Sequence, residues 1–124
     1  MQLSQENPDF NYVLRGVSPA GVLVNQETLA SSFLLTPHVL VPDWRPTAAD
    51  QLTPEDMQAA LALDPVLVLL GTGPRQRFPS AAVMASLLTR GIGLEVMDNA
   101  AAARTFNVLA TEGRRVVAAF LLPG

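Results

Sequence analysis

The sequence predicts an α/β fold with a β-meander at its front, and three observations predict it. The first third of the chain reads as short strands broken by turn residues, the remainder alternates strand with helix, and 49% of the 124 residues are hydrophobic. That length is enough to bury roughly two-thirds of the surface an unfolded chain exposes, so a single α/β domain over 1–124 is expected.

Taken in order, Phe10 to Val17 and Val22 to Asn25 are strands separated by Ser18-Pro19-Ala20-Gly21. Proline presets φ for a turn there and glycine permits positive φ. A third strand, Leu29 to Thr36, follows Asn25-Gln26-Glu27 and completes the meander by short connections. Val39 to Val41 is a short extended piece between Pro37 and Pro42, and Asp43 to Asp50, with Pro46 and the single tryptophan, reads as a loop.

Thr53-Pro54-Glu55-Asp56 then starts a helix. Threonine caps, proline suits the first position, and both acids sit where the macrodipole favours them. Met57, Ala60 and Leu61 form its apolar stripe, and Asp64-Pro65 stops it. Val66 to Leu70, continuously apolar, suits a strand covered on both faces. A helix from Ser80 to Arg90 follows, with Gly91 as its left-handed terminator and Ile92 folding back as the apolar contact. Leu94 to Met97 is the next strand. Asp98 or Asn99 caps a helix to Glu112, with its stripe on Ala102, Ala103, Phe106, Leu109 and Ala110, and Arg115 to Leu122 is the last strand. Such a β-α-β-α-β tail calls for an open sheet with right-handed crossovers between parallel strands.

Composition excludes several chemistries. All eight basic residues are arginine, cysteine is absent, and His38 is the one histidine. No lysine can form a Schiff base or hold a phosphate, no thiol can attack or bind metal, and a multi-histidine metal centre is impossible. A net charge of −3 argues against an extended nucleic-acid surface. Met1 to Phe10 carries Glu6 and Asp9 and no arginine, unlike a secretory or transit segment. The uncharged stretch Thr28 to Pro42 is too short and polar to cross a bilayer. A cytoplasmic protein without membrane insertion is expected.

Among motifs, Gly71-Thr72-Gly73 follows the buried strand, where an open α/β sheet gathers ligands and glycines let amides approach a phosphate. Asp98 ends the next strand, where a dinucleotide fold places its ribose-binding acid. Gln76 stands in place of the third glycine, however, and the helix begins late, after Pro79. A tight turn, with Asp98 as a helix cap, explains the same residues. Arg75 and Arg77 lie on this loop, Arg104 on the last helix, and Arg114 and Arg115 just after it. Their forks suit carboxylate or phosphate, while solvated surface charge is the plain alternative. Strand alternation points Glu95 and Asp98 apart, against an acid–base pair. His38 lacks a nucleophile elbow. Trp44 either anchors the long loop or meets a partner.

The ordered series Gly71-Thr72-Gly73, Gly91-Ile92-Gly93-Leu94-Glu95-Val96-Met97-Asp98, Ala102, Arg104-Thr105-Phe106-Asn107, Glu112-Gly113-Arg114 and Val117-Ala118-Ala119 resembles a small α/β domain family of unknown function. Its eukaryotic members include mitochondrial complex I assembly factor three and the adipogenesis-associated domain proteins. The resemblance covers nearly the whole chain, with Asn99 where the threonine of a Met-Asp-Thr motif is expected. It implies a three-layer fold, with a mixed five-stranded central sheet, helices and the N-terminal β-meander as an added layer. It also implies a shared polar site, here Gly71, Thr72, Gly73, Asp98, Arg104, Thr105, Asn107 and Arg114.

Together these readings favour a non-catalytic protein-binding or assembly-factor-like module. Its protein partner is unspecified, and its partner surface includes Trp44 and Arg104. No catalytic residue, metal or cofactor is expected, and a homo-oligomer is compatible with the low charged fraction. The alternative is a pocket, binding or enzymatic, for a small anionic ligand at the glycine loop and last helix.

Overall fold

A computed structural model describes residues 11–124. The reading of Met1 to Phe10, and the first residue of the strand expected over Phe10 to Val17, lie outside the described residues. The meander supplies β1 (Leu14–Ser18), β2 (Gly21–Val24) and β3 (Glu27–Leu29), followed by β4 (Ser31–Leu35) and β5 (Leu40–Val41). A 3-10 turn over Ala49–Gln51 precedes another over Pro54–Met57 that runs into α1 (Gln58–Leu61). The tail is β6 (Leu67–Gly71), α2 (Ala81–Leu88), β7 (Gly93–Met97), α3 (Asn99–Thr111) and β8 (Val116–Pro123).

Strands β1-β2-β3 form an antiparallel three-stranded sheet, and the main sheet has the order β5-β4-β8-β6-β7. Strand β6 runs parallel to both β8 and β7, while β4 is antiparallel to β8 and β5, so the main sheet is mixed. Alternation along β8 divides the core. Val116, Ala118, Phe120 and Leu122 meet Phe106 and Ala102 of α3 and Val22 and Val24 of the small sheet. Val117, Ala119 and Leu121 meet Val83 and Leu87 of α2, Met57 and Trp44 on the other face. A strand buried on both faces needs no polar alternation, which is why β6 and β8 read as unbroken apolar runs. The Phe33 and Phe120 rings stack across β4 and β8 with centroids 5.0 Å apart. These are the three layers.

The strand expected over Leu29 to Thr36 is two strands. The chain leaves the small sheet after Leu29 and joins the main sheet at Ser31. Ala30, between them, accepts a hydrogen bond at its carbonyl from the Gly124 amide at 3.1 Å. Alternation records which face a side chain takes, not which partner strand the backbone has, so it is blind to this exchange.

Helix ends follow local chemistry. Thr53 and Asp56 form a reciprocal capping box with Pro54 at the first position. Ser80 caps α2, and Asp98 caps α3 by accepting from the Ala101 amide at 2.8 Å. Gly91 takes φ 73°, and the Ile92 amide folds back onto the Leu87 carbonyl at 3.1 Å. Because α2 and α3 lie on opposite faces while β6 and β7 are neighbours, the chain parts at their carboxyl ends. That is the position where open α/β sheets form a ligand crevice.

Candidate functional site

At this end of the sheet the polar residues turn inward. The Thr72 amide donates to the Met97 carbonyl at 2.9 Å, and the Asn99 amide donates to the Gly73 carbonyl at 2.8 Å, so the two loops are stitched together. Asn99, 3% exposed, accepts at Oδ1 from the Gly73 amide at 3.0 Å and donates from Nδ2 to the Leu121 carbonyl at 3.2 Å. One side chain thus ties the glycine loop to β8. The Thr72 hydroxyl donates to the Arg75 carbonyl at 2.6 Å and accepts from the Arg77 amide at 3.0 Å, folding the loop over itself. Gly71 leaves room for this: a Cβ there would stand 2.4 Å from Asn99 Oδ1. Gln76 extends the loop sideways, its Nε2 donating to the Val96 carbonyl at 2.8 Å.

The remaining residues of the expected site lie elsewhere. Thr105 approaches Met97 Sδ at 3.6 Å behind the crevice. Asn107 donates from Nδ2 to the Leu14 carbonyl at 2.6 Å and accepts at Oδ1 from the Leu14 amide at 3.0 Å, pinning β1 to α3. Arg104 is exposed one helical turn earlier. Arg114 lies at the far end of the sheet, 4.0 Å from the Glu112 carboxylate. There, with His38 and Arg115, it lines a cleft of about 290 Å³. The structure therefore brings Gly71, Thr72, Gly73 and Asp98 together, sets Arg104 and Asn107 along α3 beside β1, and separates Arg114 from both groups.

Trp44 is 8% exposed, its amide donating to the Ser32 carbonyl at 2.9 Å and its indole Nε1 to the Asp56 carbonyl at 3.0 Å. Its ring packs within the α2-side core and anchors the loop. Beside it Arg45 grips Asp56 with both forks, Nε to Oδ1 at 2.9 Å and Nη2 to Oδ2 at 2.6 Å. The guanidinium hydrogen bonds hold the Asp56 carboxyl below its ordinary range, and the same contact raises Arg45. This pair orders the helix start.

Two concavities adjoin β1. A cleft of about 160 Å³ lies between β1 and α3, lined by Arg15, Gly16, Val17, Ala100, Arg104 and Asn107. Val17 also lines an apolar groove of about 630 Å³ between the β1–β2 turn, Gly73-Pro74 and the end of β8. Among the described residues Arg15, Arg75, Arg77 and Arg104 form no ion pair, whereas Arg45, Arg114 and Arg115 each face a carboxylate. Phe78, 64% exposed, stands next to Arg77. Arg15, Val17 and Phe78 were not singled out by the sequence. The meander that brings Arg15 and Val17 to α3 is a long-range arrangement, and an isolated apolar residue after a loop carries no signal of exposure. No helix of the described residues is long and apolar enough to cross a membrane.

A family model described as "Protein of unknown function (DUF498/DUF598)" matches residues 14–121. Among curated proteins the chain is similar to NADH dehydrogenase [ubiquinone] 1 alpha subcomplex assembly factor 3 of several vertebrates. Identity is 30% with the Danio rerio protein, covering 99% of this chain and 71% of that protein. It is 31% with the Homo sapiens protein, covering 83% and 56%, and 32% with the Bos taurus protein, covering 98% and 66%. The chain thus spans little more than half of the human relative and about two-thirds of the bovine one. Among solved structures, an NMR structure of a Xanthomonas campestris protein aligns with TM-score 0.85 and 54% identity, covering 100% of this chain and 94% of that one. A Bordetella pertussis NMR structure described as a Mth938-like domain aligns with TM-score 0.81 and 28% identity, covering 100% and 94%.

Proposed function

The chain belongs to the DUF498/DUF598 family of proteins of unknown function, and from that premise we propose that it is a non-catalytic protein-binding module of the assembly-factor kind. The observation that carries this reading is how the polar residues are used. Thr72, Asp98, Asn99 and Asn107 direct their hydrogen bonds to the protein's own backbone, so they hold the fold together. Arg104 instead faces solvent on α3, one turn before Val108, which is 56% exposed. Arginine beside exposed apolar surface is the composition that protein interfaces favour. The vertebrate relatives named as assembly factors support the same reading, since a module that helps build a complex must bind its components.

The test is quantitative affinity capture from extracts of the source cells, comparing the intact protein with Arg104→Ala. One reproducible protein partner should be retained above a bare-resin control, with recovery reduced about fivefold by the substitution, as for the loss of an interaction of roughly 1 kcal/mol. Equal recovery by both proteins removes the α3 face from the proposal. Recovery no better than the control removes the proposal itself.

A further inference from the structure

Resting on the reading of this chain as a binding module, we propose that the β1–α3 cleft and the apolar groove beyond it form one recognition channel. Its occupant is an extended segment of a partner protein, with an acidic side chain followed by apolar ones. Among the described residues β1 is the edge of its sheet, and its backbone side turned from β2 has no strand partner. At Leu14 that edge is closed by Asn107, which takes up both the amide and the carbonyl. From Arg15 to Ser18 the strand is exposed throughout. An open edge of this kind is what a partner's extended backbone adds to, with side-chain pockets supplying the selectivity.

Charge and shape select the segment. Arg15 and Arg104 reach the cleft from opposite walls, one from the strand and one from the helix, and neither has an acidic partner among the described residues. Among the described residues no aspartate or glutamate side chain lines either concavity. In a protein of net charge −3 these two arginines form a local cationic patch that no carboxylate of the described residues pairs with. The cleft, about 160 Å³, has the scale of one side chain, and two guanidinium forks suit a carboxylate. Val17 lines both concavities, so the two adjoin along β1. The larger one, about 630 Å³, is walled mainly by Pro19, Ala20, Ala30, Pro74, Leu121 and Leu122, which suits apolar side chains. An acid at one end and apolar residues along the rest therefore match the channel in order.

The experiment uses the full chain and a fluorescein-labelled peptide in which one glutamate precedes valine and leucine residues alternating with threonine. Binding is followed by anisotropy. A second peptide has glutamine for the glutamate, and a third has lysine. The expected result is that the acidic peptide binds and that the glutamine peptide is weaker by about fivefold or more. Arg15→Glu with Arg104→Glu should reverse the preference toward the lysine peptide. Both substitutions are at exposed positions, and an unchanged circular dichroism spectrum verifies the fold. Equal binding of the acidic and glutamine peptides overturns the proposal, as does equal binding by the doubly substituted protein or no binding at millimolar peptide. Displacement of the peptide by inorganic phosphate or glutarate at matching concentration assigns the cleft to small anions and overturns it as well. Should affinity capture still retain a partner that the double substitution leaves bound, the module reading stands and this channel is discarded.

Discussion

Gly71→Ala is the substitution whose consequence follows most directly from the geometry. The new methyl would lie 2.4 Å from Asn99 Oδ1, 3.1 Å from Phe120 Cδ1 and 3.4 Å from Ala102 Cβ. The first contact is impossible, so Asn99 must swing away. Its bonds to the Gly73 amide and the Leu121 carbonyl are then lost in a site that water hardly reaches. Two such bonds contribute about 1 kcal/mol each, and crowding against Phe120 and Ala102 adds about 1–2 kcal/mol. Replacing a strand glycine returns about 0.5–1 kcal/mol. The net loss is about 2–4 kcal/mol, a large part of the roughly 5–15 kcal/mol that holds a domain folded. Urea unfolding followed by Trp44 fluorescence measures it cleanly, because Trp44 is the single tryptophan and is buried. The decisive comparison is a cycle with Asn99→Ala. Once the amide is gone the impossible contact disappears and only the crowding against Phe120 and Ala102 remains, so the double variant should be more stable than the sum of the singles by at least about 1 kcal/mol. Additivity within about 0.5 kcal/mol would refute the claim that Gly71 is glycine because Asn99 needs its space.

Other consequences are smaller or more local. Asp98→Ala removes the α3 cap at the Ala101 amide and should cost about 1 kcal/mol in chemical unfolding. Asn107→Ala frees both Leu14 backbone groups, so amide exchange across Leu14–Ser18 should accelerate more than exchange in β8; equal acceleration would show that the bond does not pin β1. The Asp56 carboxyl titrates below its unfolded value of 3.8 because Arg45 and Thr53 bond its ionised form. Its contribution is therefore fully present above about pH 5 and is lost as pH falls through the lowered folded value. Asp56→Asn should be less stable than the natural protein at pH 7 and lose less stability between pH 5 and pH 2. Parallel stability–pH curves would contradict that sign.

What the sequence made legible was local. Thr53-Pro54, Ser80, Gly91-Ile92 and Asp98 each announce a helix end through groups within a few residues of the backbone they satisfy. The unbroken apolar runs of β6 and β8 announce a sheet covered on both faces. The failures share a different cause. The exchange of sheets at Ala30 leaves no mark in the alternation of side chains. Asn99 looks like a second choice of cap, yet its partners are Gly73 and Leu121, brought to it only by the sheet order. Asn107 reads as a polar flank of the α3 stripe until β1, from the other end of the chain, is laid beside it. Among the arginines the same limit holds. Their residue type was evident from composition, but Arg15 acquires meaning only where β1 meets α3, whereas Trp44 takes the loop-anchoring role the sequence offered for it, with Ser32 and Asp56 as its partners.

The residues at the sheet's carboxyl end hold the fold, whereas the β1–α3 face is the surface proposed to engage a partner. Hydrogen–deuterium exchange of the protein, alone and saturated with its captured partner, tests this most directly. Protection is expected across Leu14–Ser18 and the exposed face of α3 around Arg104, with the loop at Thr72–Arg77 unchanged. Protection concentrated at Thr72–Arg77, with β1 and Arg104 unaffected, would contradict the claim.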